Sequence, residues 1–137
     1  MNRKRLLKHL VFLMFFMFLA DFLAHYFFWY SLISYFDVIM HTLGGFWVGM
    51  FFFYIFSMGN GVPRSGKLFL RVVLCTLMIG LLWEFFEYVV FNIIAVTSWD
   101  GVDTSSDIFF DILGALFSCF YFSKFIMSAP GNGVQSR

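Results

Sequence analysis

Residues 36–58 read FDVIMHTLGGFWVGMFFFYIFSM. The stretch carries one carboxylate, Asp37, and one imidazole, His41, both near its start, and no Lys or Arg. A helix rises 1.5 Å per residue, so a run of this length reaches across the ~30 Å hydrocarbon core of a bilayer. Three further stretches have comparable length and character, at about 10–30, 68–96 and 107–127. Together they predict an all-α fold, an integral membrane four-helix bundle, with residues 1–128 as a single four-span transmembrane domain and 129–137 as a disordered cytoplasmic tail.

Composition agrees. Of the 137 residues 61% are hydrophobic, 24% aromatic and 12% charged, and 23 are Phe. Soluble domains carry about 25% charged residues, and a water-soluble chain of this size has too little interior to hide so much apolar surface. The links between spans are rich in turn formers: Ser31 to Tyr35, Gly59-Asn60-Gly61-Val62-Pro63-Arg64-Ser65-Gly66 and Thr97-Ser98-Trp99-Asp100-Gly101. The first span is expected to stay in the protein, because Asp21 and His25 interrupt the region where a small-residue signal cleavage site would lie.

The nine basic residues set a direction. Arg3, Lys4, Arg5 and Lys8 precede the first span, Arg64, Lys67 and Arg71 surround the start of the third, and Lys124 and Arg137 close the chain. Positive residues stay on the cytoplasmic side, so both termini are expected inside, an N-in/C-in topology. The basic residues form no extended face, which excludes a nucleic-acid role. Cys75 and Cys119 lie in apolar helical stretches without CxxC spacing and read as small buried hydrophobes. His9, beside the basic terminus, is expected to be solvated, and Trp29, Tyr30, Tyr35 and Trp99 form an interfacial aromatic belt.

That topology places all eight acids, Asp21, Asp37, Glu84, Glu87, Asp100, Asp103, Asp107 and Asp111, in the outer half or the outer loop, away from every cation. A charge at the middle of a membrane helix costs ~2.5–3.5 kcal/mol on insertion scales, so such groups face protein or water. Residues three or four apart share a helix face, and the chain offers Asp21 with His25, Asp37 with His41, Glu84 with Glu87, and Asp107 with Asp111. Small residues continue three of these faces: Gly44 and Gly45 after His41, Gly80 before Glu84, and Gly114 and Ala115 after Asp111. Small residues let membrane helices approach closely, so the three faces are expected to pack on one another and bring the polar pairs to one depth. Asp21 and His25 either satisfy each other or join the cluster.

Several carboxylates cannot all stay ionised in a dry site. A divalent cation, shared protons or a water-filled vestibule would each resolve the conflict. The cation reading makes His41, Glu84, Asp107 and Asp111 metal ligands for Zn, Mn, Fe or Mg, with Glu84, Glu87 and Asp37 as candidate catalytic or supporting carboxylates. It predicts a metal-dependent hydrolase or transferase acting on a lipid-linked or envelope substrate. The proton reading gives a proton- or cation-coupled transporter subunit that works as a homo-oligomer, and a third reading is a structural protein whose polar core is interhelical glue. In every case membrane lipids are partners.

The motifs Asp37-x-x-x-His41-x-x-Gly44-Gly45, Trp83-Glu84-x-x-Glu87 and Asp103-Thr104-x-x-Asp107-x-x-x-Asp111-x-x-Gly114-Ala115 resemble those of the VanZ-like and YjdF-like small polytopic proteins of bacterial inner membranes. The resemblance covers Tyr35 to Ser118 and implies a multi-pass location in the cell inner membrane. The chain lacks the Arg that VanZ-like members carry near their acidic motif, so a role in glycopeptide resistance is not carried over.

Overall fold

A computed structural model describes residues 3–58, 66–94 and 100–126. The glycine-rich link at 59–65, Trp99 and the tail at 129–137 lie outside the described residues. The chain forms α1 (Arg3–Tyr26), a single short turn α2 (Trp29–Leu32), α3 (Phe36–Phe56), α4 (Gly66–Val89) and α5 (Gly101–Tyr121). The last turns of α4 and α5 widen into π-helix at Val90–Ile94 and Phe122–Ile126. Among the described residues there is no strand, and four helices are long and apolar enough to cross a membrane. The protein is an all-α, multi-span membrane bundle.

The helix ends follow local chemistry. α1 stops at Tyr26, before the apolar stretch does, because Phe28 adopts a left-handed backbone with φ 58°. For a bulky residue that conformation needs support. The rings supply it: Phe27 stacks on Trp29 with centroids 6.0 Å apart, while Trp29 and Tyr30 both meet Phe36 edge-on at 5.6 and 5.0 Å. α5 starts at Gly101, earlier than the apolar stretch, since Asp100 caps it by accepting a hydrogen bond from the Val102 amide at 2.9 Å.

α3 is central and packs on α1, α4 and α5, most extensively on α5. Glycines explain the closeness. A Cβ on Gly45 would meet the Asp111 backbone, a Cβ on Gly49 the Ser118 side chain, and a Cβ on Gly114 the Thr42 and Phe46 backbone. With lipid as solvent, association rests on such close packing rather than on apolar burial. Gly44, expected on the same seam as Gly45, turns away from it, and its nearest neighbour is the tip of Met17. Successive helical residues lie about 100° apart, so only one of an adjacent pair can face the seam.

At the end holding the first turns of α1 and α4 and the last turns of α3 and α5, Leu6, Leu10, Met50, Phe53, Leu68, Val72 and Phe122 make a closed apolar core. Phe53 and Phe122 stack at its centre, with centroids 4.0 Å apart and planes within 6°. The Trp47 indole donates to the Leu10 carbonyl at 2.9 Å, tying α3 to α1, and Arg3 donates to the Ser57 carbonyl. His9 is half-buried rather than solvated: it meets the Tyr121 hydroxyl at 3.3 Å across a crevice of about 240 Å³ that Leu10, Phe12, Leu13, Phe46 and Met50 also line. The outward-looking faces carry exposed Phe15, Phe18, Phe85 and Phe109, as a lipid-facing surface requires.

Candidate functional site

Three helices meet at the other end of the bundle, and each brings a pair of titratable groups about one turn apart, to which α5 adds Asp103 in its first turn. Asp37 and His41 come from the first turns of α3, Glu84 and Glu87 from the last turns of α4, and Asp107 and Asp111 from the first half of α5. On α5 the buried positions are Asp107, Asp111, Gly114, Ala115 and Ser118, a single stripe at helical spacing, while Phe109, Phe117 and Phe120 face outward. This helix is polar within and apolar without, the pattern that lipid imposes.

His41 sits in the middle. Its Nε2 lies 3.8 Å from Asp37 Oδ1 and 3.9 Å from Asp107 Oδ1, and its Nδ1 lies 3.4 Å from Asp111 Oδ1. The two ring nitrogens therefore face different carboxylates. A proton on Nδ1 points at Asp111 and leaves the Nε2 lone pair directed between Asp37 and Asp107. Two carboxylates and a lone pair repel one another unless something positive stands between them.

Glu84 closes the third side. It is 6% exposed, the Thr104 hydroxyl interacts with it, and its Oε1 is buried without a hydrogen-bond partner. A buried carboxylate oxygen with no donor is costly, by several kcal/mol if ionised, so the position calls for a cation or a proton. His41, Asp107 and Asp111 are equally enclosed, whereas Asp37 is half-exposed at the rim. Glu87 is also at the rim, where the Trp83 indole donates to its Oε1 at 3.1 Å.

Ligand-bearing atoms fall into two groups. One oxygen of Asp37, one nitrogen of His41 and one oxygen of Asp107 lie within 4.8 Å of one another, and so do single oxygens of Glu84, Glu87 and Asp107. Asp107 belongs to both. Among the described residues every Lys and Arg lies at the other end of the bundle, in the first turns of α1 and α4 or the last turn of α5. No Lys or Arg of the described residues therefore lies at the level of the cluster.

The structure thus brings together six of the eight residues that the spacing singles out: Asp37, His41, Glu84, Glu87, Asp107 and Asp111. Asp21 and His25 form a separate pair on α1. The His25 ring approaches the Asp21 carbonyl at 3.0 Å and its carboxylate at 3.5 Å, and the Tyr30 hydroxyl donates to Asp21 Oδ1 at 2.8 Å. Burial pushes the Tyr30 phenol above its ordinary range, and the charges of Asp21, Asp37 and Glu87 add to the effect. Tyr30, assigned by sequence to an interfacial belt, is thus bonded to one acidic group and within electrostatic reach of the other.

Gly49 escaped the sequence reading, and Thr104 entered it only as a motif position with no role. Gly49 completes Gly45-x-x-x-Gly49, a small-residue repeat at one-turn spacing that marks the seam with α5. Thr104 lies three residues before Asp107 on the same face of α5, a spacing that would have found it. Cys75 and Cys119 are free and half-buried, apart from the cluster.

No curated protein and no solved structure matches the chain. A family model described as predicted membrane protein (DUF2238) matches residues 2–127. With nearly the whole chain covered and four membrane-length helices formed, the protein belongs to that family of membrane proteins.

Proposed function

We propose that the bundle holds a divalent cation in the outer half of the bacterial inner membrane, both termini cytoplasmic, and works as a hydrolase or transferase on a lipid-linked or envelope substrate. One observation carries the reading: Glu84, whose carboxylate groups with those of Glu87 and Asp107, has its Oε1 buried without a donor where no Lys or Arg of the described residues reaches. The segregation of basic residues to the far end supports the orientation. The resemblance of the three motifs to VanZ-like and YjdF-like proteins belongs to the same proposal.

His41 through Nε2 and Asp107 offer ligands on the α3 side, and Glu84 and Asp107 offer them on the α4 side. Asp111, expected as a ligand from its spacing, takes a different role: from the Nδ1 side it holds the ring and its tautomer, as carboxylates behind metal-bound histidines do. A cation bound here supplies Lewis acidity and a water that ionises near neutral pH. Asp37 and Glu87, at the rim, are the carboxylates placed to accept that proton.

Depth favours a lipid-linked substrate. Asp107 and Asp111 lie ~9 and ~15 Å along α5 from its start, within reach of a headgroup in the outer leaflet. A proton path across the membrane is less well supported. Beneath the cluster the buried hydroxyls of Thr76 and Ser118 bond back to their own helix, and Phe53, Phe122, Met50 and Val72 fill the remaining cross-section.

The test is metal content of the protein purified in detergent. Stoichiometric metal that is lost in His41→Ala and Glu84→Gln, with both variants monodisperse, supports the reading. A monodisperse wild-type protein that binds no Zn²⁺, Mn²⁺, Fe²⁺ or Mg²⁺ overturns it.

A further inference from the structure

The site has more carboxylates than one cation can neutralise. Asp37, Asp107, Glu84 and Glu87 bring four negative charges to a place where the described residues offer no Lys or Arg. One divalent cation leaves two of those charges uncompensated. Two divalent cations balance those four, and the Asp111 carboxylate, 3.4 Å from His41 Nδ1, keeps its charge with the ring N–H as donor.

Geometry divides the ligands the same way. A cation bound at 2.0–2.6 Å keeps its ligand atoms within about 4 to 5 Å of each other. Asp37, His41 and Asp107 satisfy this limit as one group, and Glu84, Glu87 and Asp107 satisfy it as another, all within 4.8 Å. Asp107 is common to both, and a carboxylate has two oxygens. It is 2% exposed, and α5 fixes its place on the buried stripe between α3 and α4. Glu84, whose Oε1 is unpartnered, belongs to the second group, which the histidine does not join.

We infer that the protein binds two divalent cations side by side, one held by Asp37, His41 and Asp107 and the other by Glu84, Glu87 and Asp107, with the Asp107 carboxylate bridging them. The inference rests on the proposed metal site and deepens it. The two positions differ in kind: the first has a nitrogen ligand, and the second is all oxygen. Imidazole favours Zn²⁺ or Fe²⁺, and an all-oxygen set favours Mn²⁺ or Mg²⁺. Carboxylate-bridged pairs sit ~3.5–4 Å apart, close enough for two paramagnetic ions to couple.

Mn²⁺ is the probe, titrated into metal-free full-length protein in detergent and followed by electron paramagnetic resonance and by metal content. Two equivalents should bind in two phases, and the saturated sample should show the spectrum of an exchange-coupled pair. Glu87→Gln changes a rim residue and should leave one equivalent with the spectrum of an isolated ion. Asp107→Asn should abolish the coupling. A wild-type protein that saturates at one equivalent, or at two uncoupled ones, overturns the bridged pair and leaves the single-cation site standing. A protein that binds no Mn²⁺, Zn²⁺, Fe²⁺ or Mg²⁺ overturns both.

Discussion

Replacing Gly45 and Gly44 by alanine, one at a time, should give opposite results although the two residues are adjacent. At Gly44 the added Cβ finds the Met17 methyl at 3.9 Å, an ordinary contact, and alanine is a better helix residue than glycine by ~0.5–1 kcal/mol. Gly44→Ala should therefore be neutral or slightly stabilising. At Gly45 the Cβ would overlap the Asp111 carbonyl oxygen and stand 2.7 Å from its Cα and carbonyl carbon, so α5 must retreat by more than ~1 Å to restore ordinary contact. Overpacking of this kind costs ~1–3 kcal/mol, and backbone cannot swing aside as a side-chain tip can. A gap of about 2 kcal/mol between the variants corresponds to ~8 °C in thermal midpoint. The same retreat stretches the His41–Asp111 approach from 3.4 Å to beyond ~4 Å, past a hydrogen bond, so metal affinity should fall ~10-fold in Gly45→Ala and not in Gly44→Ala. Thermal unfolding in detergent, followed by the fluorescence of the four Trp residues, measures the first effect, and Mn²⁺ titration measures the second. Equal midpoints for the two variants, or a lower one for Gly44→Ala, would refute the assignment of the seam.

Three further outcomes follow from the geometry. Gly80→Ala would put a Cβ 2.5 Å from Asp111 Oδ2, a side-chain tip that can move, so stability should change by less than ~1 kcal/mol while metal affinity falls ~10-fold in a competition titration. Trp47→Phe removes the indole donor to Leu10 and should lower stability by ~1 kcal/mol with metal binding intact, as read by thermal unfolding beside metal analysis. Metal occupancy should fall between about pH 7.5 and pH 5, because protons compete for ligands that bind only when deprotonated and acidification therefore favours the empty form. Occupancy that is unchanged on equilibration at the lower pH would contradict a carboxylate and imidazole site.

How much the sequence revealed depended on whether lipid and protein ask different things of a side chain. Length and apolarity alone mark the four spans, because any stretch crossing hydrocarbon must satisfy its backbone within itself. The titratable pairs were legible for a related reason: Asp37, His41, Glu84, Glu87, Asp107 and Asp111 cannot face lipid, so their spacing reports which side of each helix turns inward. Elsewhere on α3 and α4 the rotational phase was hidden. Phe facing lipid and Phe facing another helix obey the same preference, which is why Gly44 and Gly45 looked equivalent. The Phe28 turn was also illegible, since aromatic contacts stabilise its left-handed backbone and no glycine advertises it. Nor could spacing tell that Asp111 would take the Nδ1 side of His41 while Asp37 and Asp107 took the Nε2 side.

Asp111 shows how packing and chemistry are joined in this bundle. Its backbone is pressed against Gly45 of α3, and its carboxylate occupies the space that a side chain on Gly80 of α4 would fill. Two missing side chains, one on each neighbouring helix, therefore set where the Asp111 oxygens stand. Those oxygens in turn set the His41 ring, and the ring directs Nε2 toward Asp37 and Asp107. An interhelical seam built for adhesion alone would need Gly45 and Gly114 but has no use for an acid at the point of closest approach, where desolvation is most costly. The acid is explained if the seam's rigidity is used to hold the imidazole. A ligand whose orientation is fixed before its cation arrives loses little further freedom on binding. For that reason Gly80→Ala, which disturbs the carboxylate while leaving the α3–α5 seam alone, separates the two accounts: adhesion predicts no loss of metal, and preorganisation predicts a clear one.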